Sequence, residues 1–152
     1  MSTGYPAFTV RQATEHDCRS IGVLAQLLWP HHTAETLTEL FRETLSKSDA
    51  AVFLACVGED PVGFSHCQLR HDYVEGTDSS PVGYLEGIFV RAEYRGQGRA
   101  RLLLSACEHW AKEQGCTEFA SDCELTNNSS LAFHLSVGFE ESNRIICFVK
   151  KL

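Results

Sequence analysis

Arg95-Gly96-Gln97-Gly98-Arg99-Ala100 stands between two runs of different character, and its reading decides the fold. Before it, Tyr84-Leu85-Glu86-Gly87-Ile88-Phe89-Val90 is apolar, β-branched and aromatic, the pattern of a buried strand. After it, Arg99 to Gln114 sets Leu103, Ala106, Cys107 and Trp110 on one helical stripe, with Gly115 as the stop. Two glycines at the mouth of a helix let the backbone approach a phosphate closely. The free N–H groups and the helix dipole then hold its negative charge. Arg95, Arg99 and Arg101 add cations able to grip further phosphate oxygens. For the six residues alone the alternative is an ordinary strand-to-helix turn with solvated arginines. The flanking strand and helix weigh against it.

Spacing selects the kind of cradle. The dinucleotide fingerprint G-x-G-x-x-G fails at Arg101, and no Gly-Lys-Ser/Thr follows to make a Walker loop. Arg/Gln-x-x-Gly-x-Gly/Ala fits, at Arg95, Gly98 and Ala100. Following a strand and opening a helix, this stretch resembles the pyrophosphate-binding motif of the GNAT acetyltransferase superfamily. The resemblance implies acetyl-CoA as the ligand of residues 95–100.

The 152 residues suit one domain with a single core, expected to span 1–152. Hydrophobic residues at 43% and charged residues at 22% are ordinary for a globular protein. No apolar run approaches a membrane span, and Met1-Ser2-Thr3-Gly4-Tyr5-Pro6 lacks the regions of a signal peptide. The seven cysteines, at positions 18, 56, 67, 107, 116, 123 and 147, include no C-x-x-C pair, so neither zinc nor a redox dithiol is expected. A reduced, cytoplasmic protein is the simplest account. The net charge of −7 argues against a nucleic-acid partner and favours a cationic small molecule, while the arginines gather where a polyanionic cofactor would lie.

No repeat or linker divides the chain. Phe8 to Gln12 reads as a strand, and Thr14 caps a helix from about Glu15 to Leu28 with Asp17 completing a capping box. Pro30 ends that helix, and Thr33 caps a second running to about Lys47. Ala50–Val57 and Pro61–Leu69 form a hairpin about Gly58-Glu59-Asp60, and His71–Pro81 is a loop. After the glycine loop and third helix come a strand over Thr117–Asp122 and a fourth helix, capped by Thr126 or Asn127 and ending at Gly138. Glu140–Lys150 reads as one long or two short strands. The order is that of an α+β (α/β-like) fold. It is also the GNAT order, which implies a single mixed, mostly antiparallel twisted sheet of six to seven strands flanked by four helices.

Further segments narrow the resemblance. Trp29-Pro30, the run from Arg70 through Tyr73-Val74-Glu75-Gly76-Thr77-Asp78-Ser79-Ser80-Pro81-Val82, Leu85-Glu86-Gly87, Ala120-Ser121-Asp122 and Gly138-Phe139-Glu140-Glu141 are similar to the aminoglycoside 6′-N-acetyltransferases. The resemblance implies direct transfer of acetyl from acetyl-CoA to the 6′-amine of an aminoglycoside antibiotic, and hence resistance. It also implies that the loop at Tyr73 reaches a neighbouring protomer's site in a homodimer.

Such a transfer needs a held thioester, a neutral amine and a stabilised oxyanion. By the resemblance, Ile88, Phe89 and Val90 pair with the pantetheine arm and bind the oxyanion, and Asn127 contacts acetyl-CoA; apolar side chains also suit a plain core strand, and Asn127 suits a plain helix cap. Glu86 interrupts a run fit for burial, where a carboxylate needs a partner or a task, unless pleating turns it outward. Asp122 ends a strand, where sites gather, though a loop-capping Asp is common there. Both match family residues that bind the aminoglycoside, and Asp122 is preferred as the base. Trp29 and Tyr73 match further substrate contacts, Trp29 being equally compatible with the core. Two positions depart from the family: Asn143 replaces an acid among the substrate contacts, and His134 stands where a tyrosine commonly serves as general acid, a role left unassigned. Other readings are acetylation of a polyamine or protein lysine, and a non-catalytic acyl-CoA sensor.

Overall fold

The structure, a computed structural model, describes residues 7–152; the expectation about residues 1–6 lies outside them. A five-stranded sheet runs in sequence order: β1 (Phe8–Gln12), β2 (Ala50–Val57), β3 (Asp60–Arg70), β4 (Val82–Val90) and β5 (Phe119–Ser121). The first four strands are antiparallel neighbours, and β5 joins β4 in parallel through Gly83↔Phe119 to Leu85↔Ser121. Parallel pairing requires a crossover, supplied by α3 (Arg99–Glu113).

Strand alternation builds two cores, one on each face. In β2, Val52, Leu54 and Cys56 face α1 (Cys18–Leu28) and α2 (Ala34–Leu45), where they meet Ile21, Leu24, Leu37 and Phe41. Ala51, Phe53 and Ala55 face α3, against Leu103, Leu104, Cys107 and Trp110. A third, smaller cluster of Val74, Val82 and Tyr84 holds the 71–81 loop onto β4. That loop is tied down again at its far end, where Glu118 accepts hydrogen bonds from Asp78 N–H (2.9 Å) and Ser79 Oγ.

Local signals act as expected. The Asp17 carboxylate accepts from Thr14 N–H at 2.9 Å, although residues 15–17 form a 3₁₀ turn before α1 begins. Thr33 Oγ1 accepts from Thr36 N–H at 3.1 Å at the start of α2. α4 (Asn128–Ser136) closes at Gly138 (φ +100°), with Phe139 N–H bonded to His134 O at 3.0 Å.

The expected six to seven strands are five. Residues 140–150, expected to close the sheet, make no strand. Ile145, Ile146, Phe148 and Val149 are instead 70%, 80%, 91% and 94% exposed. A strand needs a ladder partner, and this segment leaves the sheet without one from its own chain. α4 has no fully buried side chain.

Candidate functional site

The cradle forms at the junction of β4 and α3. Gly96 (φ +78°) and Gly98 (φ +76°) take the left-handed conformation that side chains resist, and a Cβ on either would point into open space. The first N–H groups of α3 have no intrahelical acceptor, since the ladder begins with Leu102 N–H to Gly98 O at 3.1 Å. A cavity of about 230 Å³ opens here, lined by Tyr94, Arg95, Gly96, Gly98, Arg99 and Ala100 among others.

The arginines differ from expectation. Each is braced to a carbonyl: Arg95 Nε to Val90 O (2.7 Å), Arg99 Nη1 to Tyr94 O (3.1 Å) and Arg101 Nη2 to Ser136 O (3.2 Å). Gln97 Oε1 accepts a further bond from Arg99. Their first task is therefore to shape the loop, and the remaining guanidinium donors are what a ligand would meet. Arg99 Nε is buried with no partner. A buried donor left unmatched fits an anionic guest such as a diphosphate.

Beyond Leu85, β4 and β5 part. β5 pairs only with Gly83, Tyr84 and Leu85, so Ile88, Phe89 and Val90 pair with β3 on one side and present an unpaired edge on the other. That free edge is a template for an added strand-like ligand. Asn127 caps α4, its Oδ1 accepting from Ser130 N–H at 3.1 Å.

Glu86 owes its direction to a bulge. His66 pairs with Gly87 and Cys67 with Leu85, so Glu86 is the extra residue of β4, and such insertions re-aim a side chain. It is half-buried and neither solvated nor alone. Arg70 grips it bidentately, Nε to Oε1 and Nη2 to Oε2, both at 3.0 Å. The Arg70 guanidinium also lies 3.4 Å from the ring centre of Tyr84, whose hydroxyl donates to Asp122 Oδ2. Burial, then the bond to Asp122, raises the Tyr84 phenol above its ordinary pKa. One continuous contact chain thus joins the two predicted carboxylates.

Trp29, at the end of α1, is half-buried; it packs edge-on against Phe64 (6.2 Å) and over Gly87, where a Cβ would come within 2.9 Å of the indole. Tyr73 is exposed, in the loop held by Val74. Asn143 donates to Glu75 Oε1 at 3.2 Å, so it joins the loop rather than the Glu86–Asp122 pair. His134 Nδ1 lies 2.7 Å from Ser130 O, which accepts only, so a neutral ring carries its proton there and leaves Nε2 to accept from Ser121 Oγ at 2.8 Å.

Arg70, Tyr84 and Ser121 were not singled out from sequence. Arg70 heads the quoted loop segment, and Tyr84 carries a polar tip within an apolar run, which a buried hydroxyl must satisfy. No local signal marks Ser121.

The profile of the Acetyltransferase (GNAT) family matches residues 14–139. The chain is 43% identical over 141 residues to an aminoglycoside N(6′)-acetyltransferase type 1 of Stenotrophomonas maltophilia, covering 92% of this chain and 91% of the relative. It is 40% identical over 128 residues to an enzyme of the same name from Salmonella typhimurium, covering 84% and 88%. Among solved structures it resembles aminoglycoside N-acetyltransferase AAC(6′)-Iy in complex with CoA, with a TM-score of 0.94 and 36% identity over 100% of this chain and 99% of that one. The same enzyme bound to the bisubstrate analog CoA-S-monomethyl-acetylneamine superposes with a TM-score of 0.91 at 36% identity, covering 96% and 99%.

Proposed function

The chain belongs to the GNAT acetyltransferase family, and from that premise we propose that it moves the acetyl group of acetyl-CoA to the 6′-amine of aminoglycoside antibiotics, conferring resistance to them. What supports this reading is that Glu86 and Asp122, joined through Arg70 and Tyr84, lie where β4 parts from β5. Residues 95–100 and the N-terminus of α3 hold the diphosphate, while Ile88, Phe89 and Val90 pair with the pantetheine arm and direct N–H groups at the thioester oxygen.

Asp122 takes a proton from the incoming ammonium, whose nitrogen lone pair then attacks the thioester carbon. Collapse of the tetrahedral intermediate breaks the C–S bond, and the CoA thiolate leaves to be protonated. Glu86, Trp29 and Tyr73 bind the sugar rings, and Asn127 contacts acetyl-CoA. Asn143 supplies an amide where an acid would add charge, which weakens one ammonium contact.

We read the chain as one acetyltransferase domain over residues 1–152, working in the cytoplasm, where acetyl-CoA is made. Among the described residues no helix is long and apolar enough to cross a membrane. A homodimer accounts for the exposed apolar arm 145–152, with each copy's arm laid on its partner.

The test is thiol release from acetyl-CoA with kanamycin-type antibiotics, spermidine and lysine peptides. Turnover with aminoglycosides bearing a 6′-amine is expected. Turnover chiefly on spermidine or peptides overturns the assignment, and tight CoA binding without turnover favours a sensor.

A further inference from the structure

Arg70, Tyr84, Glu86 and Asp122 come from three neighbouring elements. Arg70 ends β3 and pairs with Val82, which puts Tyr84 at the diagonal position its long side chain reaches. Tyr84 pairs with Ala120 of β5, and Asp122 follows two residues later. The tyrosine is 6% exposed, covered by Val74 of the loop and by Val82. A phenylalanine would fill this volume equally well, so burial alone does not call for the hydroxyl. Buried phenols find acceptors, and this one finds a carboxylate on an exposed residue.

We propose that Tyr84 is a positioning residue for both carboxylates of the site: its hydroxyl fixes Asp122, and its ring face seats Arg70, which fixes Glu86. The inference rests on the acetyltransferase reading above and adds a division of labour to it. Glu86 has both oxygens engaged by a guanidinium, so its charge is already matched. Asp122 has one oxygen held by Tyr84 and the other free, and is the open anion that an ammonium meets. Holding reactive groups through locked neighbours is how a site keeps its geometry before substrate arrives.

Tyr84→Phe keeps the ring under Arg70 and deletes only the bond to Asp122. Loss of a hydrogen bond to a charged acceptor is expected to raise KM for the aminoglycoside about tenfold, with KM for acetyl-CoA unchanged. Arg70→Gln is expected to act on the same KM, by releasing Glu86. A tyrosine that only packs would leave both KM values alone or move them together, and either result overturns the proposal.

A second readout needs no turnover. Ultraviolet titration of the wild type should show a tyrosine that ionises above the ordinary phenol range. Asp122→Asn should bring that tyrosine down, and Tyr84→Phe should remove it. A titration unchanged by Asp122→Asn refutes the pairing. Absence of wild-type turnover on every aminoglycoside sinks the acetyltransferase reading alone, and the titration still decides the Tyr84 bond.

Discussion

Placing a carboxylate on each face of the C-terminal arm, as Ile146→Asp with Val149→Asp, tests whether the arm is an interface. Alternate residues of a strand point to opposite faces, so the pair sets one charge on each of the arm's two covered faces. In the single chain Ile145, Ile146, Phe148 and Val149 are at least 70% exposed. Burying each is worth about 1.5–3 kcal/mol, or about 6–12 kcal/mol per arm and twice that for two exchanged arms. Association costs about 4–15 kcal/mol in lost freedom. The middle of these ranges leaves about 8 kcal/mol, a Kd near micromolar. Sedimentation velocity from about 0.1 to 100 μM brackets that value. The wild type should pass from the 16.9 kDa monomer toward twice that mass, and the double variant should remain monomeric. Burying an unpaired charge costs several kcal/mol, and symmetry counts it in both copies. A wild type that stays monomeric throughout, or a double variant that still dimerises, refutes the reasoning.

Other consequences concern stability and cofactor binding. Burial, aided by Lys47, pushes His66 down to about 4 from 6.5. Its folded value is depressed, so the folded state binds fewer protons and stability is full above pH 6.5 and lost as pH falls through 4. About 3 kcal/mol should disappear across that window by urea melts, and His66→Leu should flatten it. Asp17, held to about 2 from 3.8 by the Arg11 guanidinium against desolvation, acts lower, with stability present above 3.8 and lost as pH falls through 2. Arg11 is half-exposed, so Asp17→Asn at neutral pH should cost only about 1 kcal/mol. Phe41 is 0% exposed and packs against Phe64 and His66, so Phe41→Ala should cost about 3–5 kcal/mol in the same melts. Arg99→Ala removes both a loop brace and the unpartnered Nε, and should raise KM for acetyl-CoA about tenfold or more with the aminoglycoside KM little changed.

The cradle and the helices were legible because their determinants are local. Thr33 caps by reaching Thr36, and Gly96 and Gly98 take φ values their side-chain-free backbones permit. The carboxylates were legible as anomalies in apolar or strand-end positions, but their partners were not. Arg70 and Glu86 are 16 residues apart, and Tyr84 and Asp122 are 38 apart. Their meeting depends on register and on a bulge at Glu86 that no alternation of residue types reveals. Asn143 shows the same limit: its place in the family pattern implies a substrate contact, and only the fold shows that its amide also reaches Glu75 of the loop.

The C-terminal segment separates two kinds of information. Its β-branched and aromatic residues specify an extended strand, and that propensity is local. Which edge it joins is not, because any unpaired edge offers the same N–H and C=O groups. In this sheet the short β5 is such an edge, and α4 beside it buries no side chain fully. The arm is tethered where Ser142 meets Gly76 and Asn143 meets Glu75, so it starts beside the loop that bears Tyr73. An arm that covers a second copy from this anchor would therefore couple dimer formation to the position of Tyr73. It follows that the monomeric double variant should lose aminoglycoside affinity while keeping acetyl-CoA affinity, since the cradle's glycines and arginine braces lie within one protomer. Equal loss of both would locate the arm's effect in the sheet as a whole.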